Sequence, residues 1–283
     1  MPEAMLGVIG GSGLYDLPDL TAVSSREVRT PFGAPSAPLV TGELNGVPIT
    51  FLSRHGRGHR LNPTELPYRA NIWALRQVGV THVLSVSAVG SLQEALPPRM
   101  AVVPDQVIDR TVSRPRTFFE GGVVAHVGVA DPFCPVLRRS VLAASDGHDG
   151  GTYICIEGPQ FSTRAESNLY RSWGGAVIGM TAMPEVRLAR EAGLCYATVA
   201  MVTDYDVWHD TEADVTVEMV LQVLHDNIET SQAIVRALAS SGLPSRTECG
   251  CAGALAAAVV TAPEAIDEEA RERLRLLLES AGV

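Results

Sequence analysis

A chain of 283 residues that is 46% hydrophobic, 5% aromatic and 19% charged has the composition of a globular protein with ample material for a large core. Its net charge of −10 argues against a nucleic-acid partner, because domains that bind nucleic acid are usually basic, but it leaves room for a small anion in a local basic pocket. The first residues carry no basic leader pattern, no apolar run approaches the ~18–20 residues of a membrane helix, and the five cysteines are odd in number with three in apolar surroundings. The expectation is a cytoplasmic protein with buried thiols and no membrane partner.

Short apolar runs alternate with helical patterns along the chain. Strands are predicted at residues 5–9, 47–52, 82–87, 100–103, 152–156, 176–180 and 194–202, several of them apolar on both faces as in a helix-covered sheet. Helices are predicted at 67–79 and 184–193, each opening on Pro and closing on Gly, and at 214–239 and 266–280. Residues 146–151 and 240–247 read as the flexible pieces. The alternation predicts one α/β domain over residues 1–283, without internal repeats.

Several strand ends carry glycine and polar punctuation. "VIGGSGLYD" follows the first strand and reads either as a plain turn or as an anion cradle with Ser12 as donor; it fits neither the dinucleotide nor the Walker pattern. "SRHGRGHR" concentrates Arg54, Arg57, Arg60, His55 and His59 in an acidic protein, an anion site or a solvated loop. "SVSAVGSL" places Ser87 and Ala88 at another strand end, where open α/β sheets bind ligands. "IEGPQFSTRAES" supplies Glu157 and Phe161, and "VIGMTAMPEV" sets Met180 and Thr181 before a Pro-initiated helix. In "AMVTDYDVWH", Asp204 and Asp206 end a buried run at i and i+2; carboxylates that close disfavour double ionisation, so one should hold a proton more easily than a free Asp. Together these ends describe a pocket with an anion site at one end and an aspartate pair at the other.

"IGGSGLYD", "SRHGRGH", "SAVGSL", "IEGPQFSTRAES", "GMTAMPEV" and "AMVTDYDVW" resemble, in order, the motifs of the 5′-methylthioadenosine phosphorylases, in the trimeric branch of the purine nucleoside phosphorylase family. The resemblance implies a three-layer α/β/α fold with a mixed, partly barrel-like central sheet, and phosphorolysis of a 6-aminopurine nucleoside. It implies no metal and no cofactor, inorganic phosphate being a co-substrate. Phosphate would meet Ser12, Arg54, His55, Ser87, Ala88 and Thr181. Ribose would lie near Met180, with Phe161 against the base and Thr203 beside the catalytic pair Asp204 and Asp206. Val217 and Val220 would wall the 5′-methylthio group, and His126 would reach a neighbouring pocket across a homotrimer interface. On this reading Asp204 carries the proton to N7 and Asp206 accepts from the 6-amino group. Gln160 departs from the arginine usual in "EGPRFS", and the segment 248–283 diverges from the animal enzymes. Cys249 and Cys251 resemble a CxC pair that forms a disulfide in some prokaryotic members; two buried thiols are the alternative. Rival readings are a phosphorylase for 6-oxopurine nucleosides or methylthioinosine, and a non-catalytic nucleotide-sensing module.

Overall fold

The structure is a computed structural model that describes residues 4–11, 13, 14, 17–209 and 217–283, with only the backbone described for 217–226. Among the described residues the strands are β1 (Leu6–Gly10), β2 (Thr21–Arg26), β3 (Leu39–Leu44), β4 (Val47–Ser53), β5 (His82–Ser91), β6 (Ala101–Val103), β7 (Gln106–Arg110), β8 (His148–Asp149), β9 (Thr152–Ile156), β10 (Gly175–Gly179) and β11 (Cys195–Asp204). The helices are α1 (Tyr68–Gln77), α2 (Pro135–Ser145), α3 (Arg164–Ser172), α4 (Ala182–Glu191), α5 (Val217–Ser241) and α6 (Glu268–Ala281). No described helix is long and apolar enough to cross a membrane.

The sheet is organised on β5. One edge of β5 pairs along its length with β11 in parallel; the other pairs first with parallel β1 and then, at Gly90 and Ser91, with antiparallel β10. Outward from β1 lie β4, β3 and β2; outward from β10 lie β9 and β7; outward from β11 lie β6 and β8. β6, in the arm beyond β11, leads to β7, at the end of the arm beyond β10, through only Pro104 and Asp105. No ladder joins β6 to β7, so the barrel-like sheet stays open.

Strand alternation sends neighbouring side chains to opposite faces, each of which has its own core. Leu6, Val8, Leu84 and Val86 pack with Val136, Leu137 and Val141 of α2 and with Ile234, Val235 and Leu238 of α5. Ile9, Leu52 and Val83 pack with Ile72, Trp73 and Leu75 of α1, with α4, and with Leu274, Leu277 and Leu278 of α6. The three layers follow from that alternation. The divergent segment 248–283 closes the second face through α6 rather than lying apart from it.

The seven expected strands are present within a few residues. α4 has a non-helical residue at Met183, so its regular turns begin at Pro184, as the sequence pattern implied. Residues 146–151 are corrected from a flexible loop to a sheet element: β8 pairs there with β6, His148 opposite Val102.

Candidate active site

The parallel strands β1, β4, β5 and β11 end on the same side of the sheet, and β10, running against β5, brings its own C-terminal end to the same place. A cavity of about 650 Å³ opens there. It is lined by Arg54, His55, Ser87, Ala88, Phe161, Met180, Thr181, Thr203, Asp204 and Asp206, ten of the predicted residues. Ser12 lies outside the described residues, and the side chains of Val217 and Val220 fall in the part of α5 described by backbone alone. His126 is exposed and does not line the cavity; its backbone N–H donates to Ala258 O at 2.9 Å.

At one end stands Arg54, 2% exposed. Its Nε donates to Glu185 Oε1 at 2.7 Å, its Nη1 to Val86 O at 2.9 Å and its Nη2 to Ser85 Oγ at 2.6 Å. Burial disfavours the charged guanidinium, but the Glu185 carboxylate outweighs it and holds Arg54 above its ordinary pKa. Most of its donors are therefore committed before any anion arrives. Arg57 and Arg60, from the same motif, are exposed.

His55 stacks on His59 with ring centroids 4.3 Å apart. Its Nδ1 lies 2.9 Å from Leu61 O, and since a carbonyl only accepts, Nδ1 carries the hydrogen. Burial and the Arg54 charge push the ring down to about 4, so it is neutral near pH 7 and presents Nε2 as an acceptor. The glycines of this loop are conformational: Gly56 has φ +72° and Ser36 O would stand 3.1 Å from an added Cβ, so the chain doubles back over His55.

Ser87 Oγ is buried without a hydrogen-bond partner, and Thr181, which starts α4, makes no side-chain cap. Buried polar atoms are nearly always paired, so an orphan hydroxyl on a cavity wall points to a ligand.

At the other end Thr203 is the extra residue of a bulge between β11 and β5, which re-aims the end of the strand. The two carboxylates do not meet through simple i, i+2 extension. Asp206 has φ +52°, and its backbone N–H turns back to donate to Asp204 Oδ1 at 2.8 Å. Thr203 Oγ1 lies 2.6 Å from Asp204 Oδ2, so both Asp204 oxygens are engaged, whereas Asp206 Oδ2 is buried and has no partner. Burial raises both carboxyls, Asp206 to about 6 with the Asp204 charge adding to the effect, while the bonds from Thr203 and Asp206 restrain the rise at Asp204. Burial therefore lets both carboxyls hold a proton more easily than a free Asp does.

Other residues of the cavity and its walls escaped sequence reasoning. Gly90 sits under the pair, where an added Cβ would stand 2.9 Å from Asp204 Oδ1. Asn227, Ile228 and Ser231 line the cavity from one face of α5. Arg114, 4% exposed, ties Tyr68 OH, Met180 O and Met183 O together, fixing the wall that carries Met180. Glu157, which accepts from Val112 N, Ser113 N and Oγ, Arg114 Nε and Thr64 Oγ1, is satisfied structurally.

Residues 5–240 match the model of the phosphorylase superfamily. The S-methyl-5′-thioadenosine phosphorylase of Geobacter sulfurreducens is 52% identical, with 98% of this chain and 99% of that protein covered. A methylthioadenosine phosphorylase from an Antarctic soil metagenomic library superposes with a TM-score of 0.92 at 48% identity, covering 98% of this chain and all of that one. The S12T mutant of the Schistosoma mansoni adenosine/methylthioadenosine phosphorylase, in complex with methylthioadenosine, superposes with a TM-score of 0.82 at 34% identity over 98% of both chains. This chain belongs to the phosphorylase superfamily and, within it, to the S-methyl-5′-thioadenosine phosphorylases.

Proposed function

We propose that the protein is a pentosyltransferase that cleaves 5′-methylthioadenosine with inorganic phosphate, releasing adenine and 5-methylthioribose 1-phosphate. The observation that carries this reading is the single cavity with Arg54, His55, Ser87 and Thr181 at one end and the Asp204–Asp206 pair at the other. Breaking the N-glycosidic bond leaves the sugar cation-like and the purine electron-rich. Phosphate held at the first end supplies the nucleophile and its charge stabilises the developing cation. Each charge-assisted hydrogen bond that holds it is worth roughly 1.5–3 kcal/mol. The hydrogen on phosphate itself suits the His55 Nε2 acceptor, and the arriving anion favours protonation of that ring.

The aspartate pair supplies the proton that the departing purine takes at N7, a step worth on the order of 10²–10⁴ in rate. The remaining carboxylate accepts from the exocyclic 6-amino group, which favours adenine because a 6-oxopurine would oppose one acceptor with another. Phe161, 46% exposed at the cavity mouth, is placed to cover the base, and Met180 the ribose. His126 completes a neighbour's pocket in a cytoplasmic homotrimer, and the reaction serves purine and methionine salvage.

The test is adenine release from methylthioadenosine with and without phosphate. Adenine and a sugar 1-phosphate should form only with phosphate. Equal adenine release in phosphate-free buffer overturns the reading in favour of a hydrolase, and no consumption under either condition in favour of a sensing module.

A further inference from the structure

At the other end of β11 from the aspartate pair, four cysteines from three distant chain segments converge. Cys134 caps the N-terminus of α2, Cys195 opens β11, and Cys249 and Cys251 flank Gly250 after the 3₁₀ turn Arg246–Glu248. Their four Sγ atoms all lie within 4.8 Å of one another, with Cys195 and Cys249 at 3.5 Å. Four thiolates around zinc at about 2.3 Å make a tetrahedron with edges of about 3.8 Å, so the cluster needs only small rotamer adjustments to match it. Cys134, Cys195 and Cys251 are buried and Cys249 is partly exposed, which leaves a route for a cation. N–H groups already point at the sulfurs: Leu137 N donates to Cys134 Sγ at 3.5 Å and Arg190 Nη1 to Cys251 Sγ at 3.4 Å. Buried thiols pack like small hydrophobes, which explains burial but not four sulfurs at mutual ligand distance with donors behind them.

We propose that Cys134, Cys195, Cys249 and Cys251 form a structural tetrathiolate zinc site that fastens the segment after α5 to β11 and α2. Four thiols and one Zn²⁺ give a tetrahedral zinc tetrathiolate of charge −2 and four protons released to solvent, with no oxidation or reduction. The Arg190 guanidinium and the amide end of α2 offset that charge. Four protein ligands close the site, so its role is to stabilise rather than to catalyse. The sequence conceals it: Cys249 and Cys251 read as a pair, and nothing in their spacing points to Cys134 or Cys195. It replaces the expectation of a metal-free chain.

The test uses untagged full-length protein purified reduced and without chelator. Elemental analysis should find one zinc per chain. Stripped, reduced protein titrated with Co²⁺ should develop sulfur-to-cobalt charge transfer that saturates at one equivalent and is bleached by Zn²⁺. Removing zinc should lower Tm by on the order of 10 °C. Cys249→Ser, at the least buried ligand, should weaken Co²⁺ binding at least tenfold while the protein stays folded, and Cys155→Ser, a buried thiol outside the cluster, should bind as wild type. Free thiols at all four cluster positions with no cobalt–thiolate band overturn the proposal. So does the mass deficit of disulfides in protein kept reduced, or Cys249→Ser binding cobalt through sulfur as tightly as wild type.

Discussion

The Arg54 guanidinium lies in a two-point ion pair with Glu185, Nε to Oε1 at 2.7 Å and Nη2 to Oε2 at 3.2 Å, both side chains essentially buried. A cation held this way is positioned but already partly neutralised, so Glu185 governs how strongly Arg54 attracts an anion. Glu185 is here a positioning residue.

Replacing Glu185 by Gln leaves the Arg54 charge buried without its counter-ion. Breaking one side of such a pair costs about 3–5 kcal/mol. Phosphate should restore part of this loss, because it brings negative charge to the same guanidinium. The expected outcome is a large fall in Tm for Glu185→Gln, with added phosphate raising the variant's Tm more than wild type's. Equal phosphate-induced shifts in the two proteins would show that Arg54 does not face the phosphate.

The aspartate pair makes activity sensitive to alkali. With Asp206 holding its proton to about 6 in the free protein, kcat/KM should fall as pH rises through that value. A stacked purine desolvates the pair further, so the corresponding limb in kcat should lie at higher pH. Asp206→Asn should remove the limb and lower kcat by roughly 10²–10⁴. Should Asp204→Asn abolish the limb while Asp206→Asn keeps it, the proton is stored on Asp204, as the family resemblance implied.

The strands show where the sequence was legible and where it was not. The apolar runs that became β1, β4, β5, β9, β10 and β11 are buried strands whose composition alone marks them. β2, with sequence TAVSSR, is exposed at every residue and carries no apolar periodicity, and β8 is only two residues long. α3 begins with a capping box, Thr163 and Glu166 bonding reciprocally, yet those residues lie inside "FSTRAES" and read first as a motif. The motif residues reached the cavity because strand ends converge there. The Glu185 partner of Arg54 lies 131 residues away, and the left-handed turn at Asp206 and the His55–Leu61 bond depend on the path of the backbone, which charge and order alone do not give.

A second pH effect is separable from catalysis. Glu191, at the end of α4, is buried and accepts the Phe118 backbone N–H at 2.8 Å; burial raises its carboxyl to about 7. The same group in the unfolded chain titrates near about 4.3. Between those values the folded protein holds the proton and the unfolded chain does not, so this contribution is complete below the lower value and lost as pH rises through about 7. Glu191→Gln removes the ionisation. Relative to wild type it should gain on the order of 3 kcal/mol between pH 5 and pH 8. Urea unfolding at the two pH values measures this, and a gap that does not change with pH contradicts it.

Gly90 tests whether the aspartate pair must be held in register with β5. It stands opposite Asp204 across the bulge and opposite Ile178 on β10, at the point where the two arms of the sheet meet. A Cβ there would lie 2.9 Å from Asp204 Oδ1, 3.1 Å from Ile178 Cγ2 and 3.2 Å from Asp206 Cβ. The first contact is closer than packed side chains show and the other two are tighter than most, so Gly90→Ala should push the Asp204 carboxylate off its bonds to Thr203 Oγ1 and Asp206 N. Overpacking of this size costs about 1–3 kcal/mol in stability. A shift of a few tenths of an ångström at the carboxylates misaligns proton transfer and should lower the rate, by less than the ~10²-fold that a misplacement of about 1 Å can cost. The expected variant is folded, with a modestly lowered Tm and kcat reduced far more than phosphate KM is raised, since the anion site at Arg54 and Ser87 lies at the other end of the cavity. A Gly90→Ala protein with wild-type kcat, or one whose phosphate KM changes as much as its kcat, would show that the position of the aspartates over β5 does not limit the reaction.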